Sequence, residues 1–197
     1  MGKLLLAILI GLVGAGIVHI AVILSIPGQA DNDAWSRLSR LGPAFSTVRI
    51  GFAEPEGDRH AGSPAGFVFV DPAFIDVACR FSVEDGPVRL FSDDKTRFWT
   101  ASIYARNGDN LYSISERVAL EGRLDLLVGT AEQLDLARIE GSSSTIPTVP
   151  VAVTGEEGYL TVRALVSAES ERPFVDRFAR SVICRPATAE EAGTPAS

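Results

Sequence analysis

The sequence is poor in the residues from which common catalytic and metal sites are built. It holds two histidines, His19 in an apolar N-terminal stretch and His60 in a segment rich in glycine and proline. Two histidines so placed exclude a histidine-based metal site with the usual number of ligands. No serine stands in a G-x-S-x-G elbow, and neither a P-loop nor a dinucleotide-binding fingerprint occurs. The sequence therefore predicts no catalytic residue, no metal site and no cofactor.

The sequence also has fewer basic than acidic residues. The formal net charge is -7 at pH 7, and the pI is about 4.9. Proteins that bind nucleic acid usually present a basic surface, and attraction to anionic lipid headgroups needs clusters of basic residues. The acidic balance argues against both partners and is typical of a surface that keeps a domain in solution.

The longest apolar run lies near the N-terminus. From Leu4 to Ile26 there are 23 residues without Asp, Glu, Lys or Arg. A helix of that length measures about 34 Å, enough to cross a hydrocarbon core of about 30 Å. We predict a transmembrane helix over 4–26, preceded by a cytoplasmic head of residues 1–3. A cleaved signal peptide is the alternative, because residues 28–30 suit a signal peptidase, although such apolar regions usually have about 7 to 15 residues.

One face of this helix carries small residues at a spacing of four, the pattern that lets a second membrane helix approach closely. The candidates for a helix–helix contact are Ala7, Gly11, Ala15 and His19. Ordinary glycine and alanine content of a membrane helix explains the stripe equally well. Lys3 and the signal-like layout favour a cytoplasmic N-terminus, although Arg37 and Arg40 count against it on the other side.

Residues 27–66 are interpreted as a juxtamembrane helix and a loop. Pro27 and Gly28 end the membrane helix, and a short helix is expected from Asp31 to Leu41. Trp35 in that helix suits either the interfacial aromatic belt or a place under the domain. Gly51 to Gly66 is rich in glycine, proline and charge and predicts a loop.

Residues 67–185 show the patterns of a β-rich domain. In 98–105, Trp99, Ala101 and Ile103 alternate with polar residues, and Asn107-Gly108 is a strong hairpin signal. The predicted strands are 67–70, 77–83, 88–91, 98–105, 111–118, 123–128, 148–153 and 159–167. Asp71-Pro72 suggests one helical turn before the second strand. Short helices are expected over 130–139, capped by Thr130, and over 173–184. The predicted class is α+β, with an antiparallel sheet of about six or seven strands and a disordered tail over 186–197.

Two stretches carry a resemblance to a known family. They are CRFSVEDGPV at 79–88 with FWTASIY at 98–104, and NGDNLY at 107–112. Together they resemble the bacterial domain-of-unknown-function family 1254, whose members tend to show a DGP turn, a strand with an aromatic pair and a GDN hairpin. Ala105 stands where an aspartate is common in that family. The resemblance implies a β-rich envelope protein and a companion protein of family 1214, and it implies no reaction.

The hairpin is also the candidate ligand or partner surface. Its residues are Tyr104, Asn107, Asp109, Asn110 and Tyr112. The polar ones are expected mainly to satisfy the turn. Four arginines among the strands are interpreted as exposed charge rather than as an anion site: Arg80, Arg89, Arg97 and Arg106. The sequence favours a non-catalytic binding module on the periplasmic side of a bacterial inner membrane. The alternative is an envelope hydrolase with its site at the hairpin.

The last expectation is a disulfide between Cys79 and Cys184. They are the two cysteines of the chain, and an even pair in a domain outside the cytoplasm is expected to be oxidised. Two separate buried thiols are the alternative.

Overall fold

The computed structural model describes residues 2–29, 33–50, 71–140, 148–188 and 191, without the side chains of 26–29 and 140. The chain forms two compact units, Met1–Asp33 and Ala34–Ser197. Several predicted features lie outside the described residues: the start of the juxtamembrane helix at 31–32, the loop at 51–66 with His60, the strand at 67–70 and most of the tail.

The first unit contains helix α1 (Gly2–Gln29). Its segment Gly2–Ser25 is long and apolar enough to cross a membrane, with a mean hydropathy of 2.6. A signal sequence at the same place would have the same properties. Pro27 and Gly28 lie inside the last turn rather than after it. The helix ends at Gln29, two residues beyond Pro27.

The second unit is built on two β-sheets. Its strands are β1 (Thr47–Ile50), β2 (Phe74–Ser82), β3 (Val88–Ser92), β4 (Trp99–Ala105), β5 (Asn110–Ser115), β6 (Asp125–Gly129), β7 (Val149–Ala152), β8 (Glu157–Leu165) and β9 (Val182–Pro186). Five strands pair in the order β1-β2-β8-β4-β5, and four pair in the order β7-β6-β3-β9. All pairs are antiparallel except β6 with β7, which are parallel. The class is α+β, as the sequence predicts, but the strands form two sheets where one was expected.

The hydrophobic core lies between the inner faces of the two sheets. Side chains that alternate along β2, β4 and β8 face it from the five-stranded sheet, and β3, β6 and β9 supply the other side. Trp99, Phe81 and Phe178 are the largest fully buried side chains. Trp99 also donates from Nε1 to the Gly122 carbonyl at 3.2 Å, so its one polar group is satisfied.

A disulfide joins the sheets across this core. Cys79 of β2 and Cys184 of β9 are bonded, with 6.5 Å between their Cα atoms and a sequence separation of 105. Both cysteines are buried, 0% and 3% exposed. The disulfide predicted from the cysteine count is therefore present, and it fits an oxidising compartment.

Among the described residues, three short α-helices cover the sheets: α2 (Ala34–Leu41), α3 (Ala131–Glu140) and α4 (Arg172–Ser181). Leu38 of α2 packs on the outer face of the five-stranded sheet against Ile50 and Ala78. Thr130 caps α3 as predicted, because its Oγ1 accepts from the Gln133 amide at 3.2 Å. Gln133 Oε1 accepts from the Thr130 amide in return, which makes a capping box.

The prediction of a helix over 173–184 was wrong for its last three residues. The helix ends at Ser181, and Val182–Pro186 form strand β9 against β3. Phe174, Phe178 and Val182 are spaced like one helical stripe, yet Phe174 is 62% exposed. β-branched Val182 and Ile183 favour extended backbone, and pairing with β3 satisfies their backbone groups.

Two further predictions need correction. Asp71-Pro72 opens a turn rather than a helical turn, because Asp71 Oδ1 accepts from the Ala73 amide at 3.0 Å and β2 begins at Phe74. The tail also starts later than residue 186. Pro186 still belongs to β9, and Glu191 makes ion pairs with Arg89 and Arg185.

Candidate functional site

The β4–β5 hairpin forms one rim of the candidate site. Gly108 adopts φ +94°, which a residue without Cβ tolerates. Asn107 holds the turn with both ends of its side chain: Nδ2 donates to Asp109 Oδ2 at 2.8 Å, and Oδ1 accepts from the Asp109 amide at 3.2 Å. The polar turn residues thus satisfy each other, as expected from the sequence.

The turn between β7 and β8 forms the opposite rim. The Arg106 amide donates to the Glu157 carbonyl at 3.2 Å, which ties the two turns together. Between them lies an open groove of about 430 Å³. Its lining residues are Ala105, Arg106, Asn107, Asp109, Leu111, Thr154, Gly155, Glu156 and Glu157. The lining offers amide, hydroxyl, guanidinium and carboxylate groups to a ligand.

Arg106 connects this groove to an aromatic residue of α2. Its guanidinium forms an ion pair with Glu157 and lies 5.3 Å from the ring of Trp35. Arg80 lies 5.0 Å from the same ring and donates to the Gly42 carbonyl at 2.9 Å. Contact of two guanidiniums with one indole fixes Trp35 within the domain, the second of the two places that the sequence allowed.

Two tyrosines continue the site across the outer face of the five-stranded sheet. Tyr104 and Tyr159 stack with ring centroids 5.0 Å apart and an interplanar angle of 12°. They are direct partners in the β4–β8 register. Gly158, beside them, permits this close packing, because a Cβ there would lie 2.5 Å from the Tyr104 carbonyl oxygen and 2.7 Å from Phe81 Cζ.

We expect Gly158→Ala to lower the free energy of unfolding by about 1–3 kcal/mol, because the added methyl group meets backbone and a buried ring. Thermal or urea unfolding of the full chain in detergent measures the change. Gly14→Ala is the matched control, since a Cβ at Gly14 meets no heavy atom within 4 Å. Equal stability of the two variants would show that the sheet shifts to accept the methyl group.

The structure brings together only part of the surface predicted from the sequence. Asn107 and Asp109 line the groove, and Tyr104 lies next to it on the outer face. The side chain of Asn110 is hydrogen-bonded to Ser113, because its Nδ2 donates to Ser113 Oγ at 3.1 Å. Tyr112 pairs with Ile103 and packs against the core, so it faces away from Tyr104.

Sequence reasoning missed Trp35, Arg80 and Glu157 as members of the site. They come from α2, β2 and β8, and only the pairing of the strands brings them to one edge. Alternation within β2 and β8 does place Arg80 and Tyr159 on the outer face. The prediction of exposed charge was wrong for Arg89, which is 8% exposed.

One acid on the same outer face has a perturbed pKa. Burial raises the pKa of Asp76 above its ordinary value, although Arg163 Nε donates to its Oδ1 at 3.1 Å and opposes the shift. The Arg163 guanidinium lies 4.4 Å from the Phe74 ring. Asp76 is thus held in a cross-strand pair between β2 and β8 and does not line the groove.

Metal ligands do not converge in the part of the chain that the structure describes. No group of three or more His, Cys, Asp or Glu side chains is placed to hold an ion there. In the first unit, Ala7, Gly11, Ala15 and His19 all lie on α1 with exposed side chains. A Cβ at Gly11 meets no heavy atom within 4 Å, so that face is open.

Among the solved structures to which the chain is similar are two bacterial proteins. No family model and no curated protein matches the chain. The VPA0106 protein from Vibrio parahaemolyticus is 11% identical, with a TM-score of 0.49 over 65% of this chain and 31% of that one. An uncharacterized protein from Burkholderia cenocepacia is 10% identical, with a TM-score of 0.41 over 81% of this chain and 44% of that one. The chain spans about a third of the first protein and less than half of the second.

Proposed function

We propose that the protein is a membrane-anchored module of the bacterial cell envelope that binds a partner protein or a small ligand. Its β-rich domain would lie on the periplasmic side of the inner membrane. Helix α1 supports the anchor by its length and apolar composition. The buried disulfide supports an oxidising compartment. The resemblance of 79–112 to family 1254 is kept as part of this proposal, with a protein of family 1214 as the candidate partner.

The groove between the two turns is the observation that carries the binding role. It is open, it lies at one edge of a rigid sheet, and it presents several different polar groups. Two of its three acids are engaged within the protein, because Asp109 accepts from Asn107 and Glu157 pairs with Arg106. Such a lining suits hydrogen bonding to a partner more than hydrolysis, which needs an acid and a base directed at a substrate.

Cross-linking in membranes tests the role of the groove. The full-length protein, carrying an affinity tag, is expressed with a protein of family 1214 and cross-linked mildly. We expect Arg106→Ala to reduce capture of the partner at least fivefold, because it removes the ion pair with Glu157 and the contact with Trp35. A fivefold loss corresponds to about 1 kcal/mol, a cost that truncation of an anchoring arginine reaches at a binding surface.

Arg117→Ala is the matched control. Its side chain is 80% exposed and forms a 3.4 Å ion pair with the neighbouring Glu116. Capture that is lost in Arg106→Ala and kept in Arg117→Ala supports the groove as the binding surface. Equal capture by both variants, or capture of no envelope protein by the wild type, would contradict the proposal.

A further inference from the structure

The outer face of the four-stranded sheet carries two arginines directly opposite each other. Arg89 of β3 and Arg185 of β9 are partners in the register. Their guanidiniums lie 4.7 Å and 5.4 Å from the ring of Phe91. Like charges in directly opposed positions destabilise a sheet. The pair therefore needs anions beside it.

One of the two charges is neutralised within the sheet. Arg89 donates from Nε to Asp125 Oδ1 at 3.0 Å and from Nη2 to Asp125 Oδ2 at 2.6 Å. Both residues are buried, 8% and 7% exposed. This bidentate pair fixes the orientation of the Arg89 guanidinium. Nη1 of Arg89 makes no hydrogen bond to Asp125 in the described contacts. The two arginines carry two positive charges, and Asp125 neutralises one of them.

Glu191 supplies the second anion from beyond the last strand. Arg185 donates to it from Nη1 at 2.8 Å and from Nη2 at 2.9 Å. The Thr188 amide donates at 2.8 Å, and Arg89 Nη1 completes the ion pairs. The carboxylate is thus held by two guanidiniums and one backbone N–H.

This carboxylate is charged at every physiological pH. Burial opposes its ionisation, but the hydrogen bonds from Arg185 and Thr188 and the nearby Arg89 outweigh burial and lower the pKa of Glu191 to about 2. The stabilisation from the ion pairs is complete above the ordinary pKa of a glutamate, about 4.3. It is lost only as the pH falls toward 2.

The contacts of Glu191 lie outside the backbone ladders of the described sheets. Strand β9 ends at Pro186, and no described strand pairing includes Glu191. The Ala187 amide donates to the Pro87 carbonyl at 2.8 Å, so the chain stays attached up to that point. The Arg89–Asp125 pair does not depend on Glu191, because Asp125 accepts from Nε and Nη2 of Arg89 and Glu191 accepts from Nη1.

We propose that Arg89, Arg185 and Phe91 form a binding site for a carboxylate side chain of an acidic protein segment, and that Glu191 fills it as an internal competitor. The fork of a guanidinium matches the two oxygens of a carboxylate. A partner segment with Asp or Glu makes the same contacts and displaces Glu191. The site is on the four-stranded sheet and is separate from the groove at the hairpin.

A labelled peptide tests this site directly. The probe is the chain's own segment 187–197, ATAEEAGTPAS, with a fluorescent label, and binding to full-length protein in detergent is followed by anisotropy. We expect Glu191→Ala to bind the peptide at least tenfold more tightly than the wild type, in which the site is occupied. A control peptide with glutamine at both glutamate positions, ATAQQAGTPAS, should not bind either protein.

Matched variants separate this site from general charge effects. Glu84→Ala removes an exposed acid from a turn and should behave as the wild type. Adding Arg185→Ala to Glu191→Ala should abolish binding, and the intact disulfide and near-ultraviolet circular dichroism confirm that this variant is folded. Three results overturn the proposal: no peptide binding by Glu191→Ala, equal binding by the double variant, or binding of inorganic phosphate but not of the peptide.

Discussion

Replacing both Cys79 and Cys184 with alanine is expected to lower the free energy of unfolding by about 2–4 kcal/mol. The disulfide closes a loop with a sequence separation of 105. In the chain-entropy model, a closed loop of about 100 residues is worth up to about 4.7 kcal/mol, because the cross-link restricts the unfolded chain. The bond also joins β2 of one sheet to β9 of the other, so its loss removes a covalent link across the core.

Urea unfolding of the full chain in detergent measures this effect, with tryptophan fluorescence as the signal. The same loss should follow when the wild type is reduced. Reductant should leave the double variant unchanged, which controls for effects of the reagent. A wild type that is equally stable with and without reductant would contradict a stabilising role for the disulfide.

Trp99→Ala is expected to cost about 3–5 kcal/mol. Trp99 is 0% exposed and lies in β4 at the centre of the core. The substitution removes the largest buried side chain, leaves a cavity between the sheets, and leaves the Gly122 carbonyl without the indole N–H. Such a cost is a large fraction of the total stability of an ordinary domain.

Phe174→Ala serves as the control for Trp99→Ala. Phe174 is also a large aromatic residue, but it is 62% exposed on α4. Its replacement should change stability by no more than about 0.5 kcal/mol. If both substitutions had the same effect on the urea midpoint, the core would not lie where the structure places it.

The parts of the fold that the sequence predicted are those with strong local patterns. Strict alternation in β4 identified Trp99, Ala101 and Ile103 as a buried face. Asn107-Gly108 identified the hairpin, because the pair is a strong turn signal and glycine tolerates the positive φ that Gly108 adopts. The disulfide followed from a count of two cysteines and an expected compartment.

The parts that the sequence missed depend on contacts between distant segments. Strand β1 has four residues, too few for a periodic signal, and it exists through its pairing with β2. The end of α4 was misplaced because Val182 continues the helical spacing while its backbone pairs with β3. The division into two sheets is set by packing of the whole core, which no local pattern contains.

The candidate site shows the same limit. The sequence marked Asn107 and Asp109 because turn chemistry is local. It could not place Trp35 between Arg80 and Arg106, which lie far apart along the chain. The ion pairs of Glu191 with Arg89 and Arg185 were also hidden, because the composition of the tail is typical of disorder.

The oxidation state of the two cysteines in the cell tests most directly the proposal that the domain is anchored to a membrane and lies outside the cytoplasm. Bacteria expressing the full chain are quenched with acid, their membranes are isolated, and the denatured protein is labelled with a maleimide that adds mass, with and without prior reduction. The account predicts a full-length protein in the membrane fraction that takes up two labels only after reduction. A soluble, shortened protein would show a cleaved signal peptide, and two labels without reductant would place the domain in the cytoplasm; either result contradicts the claim.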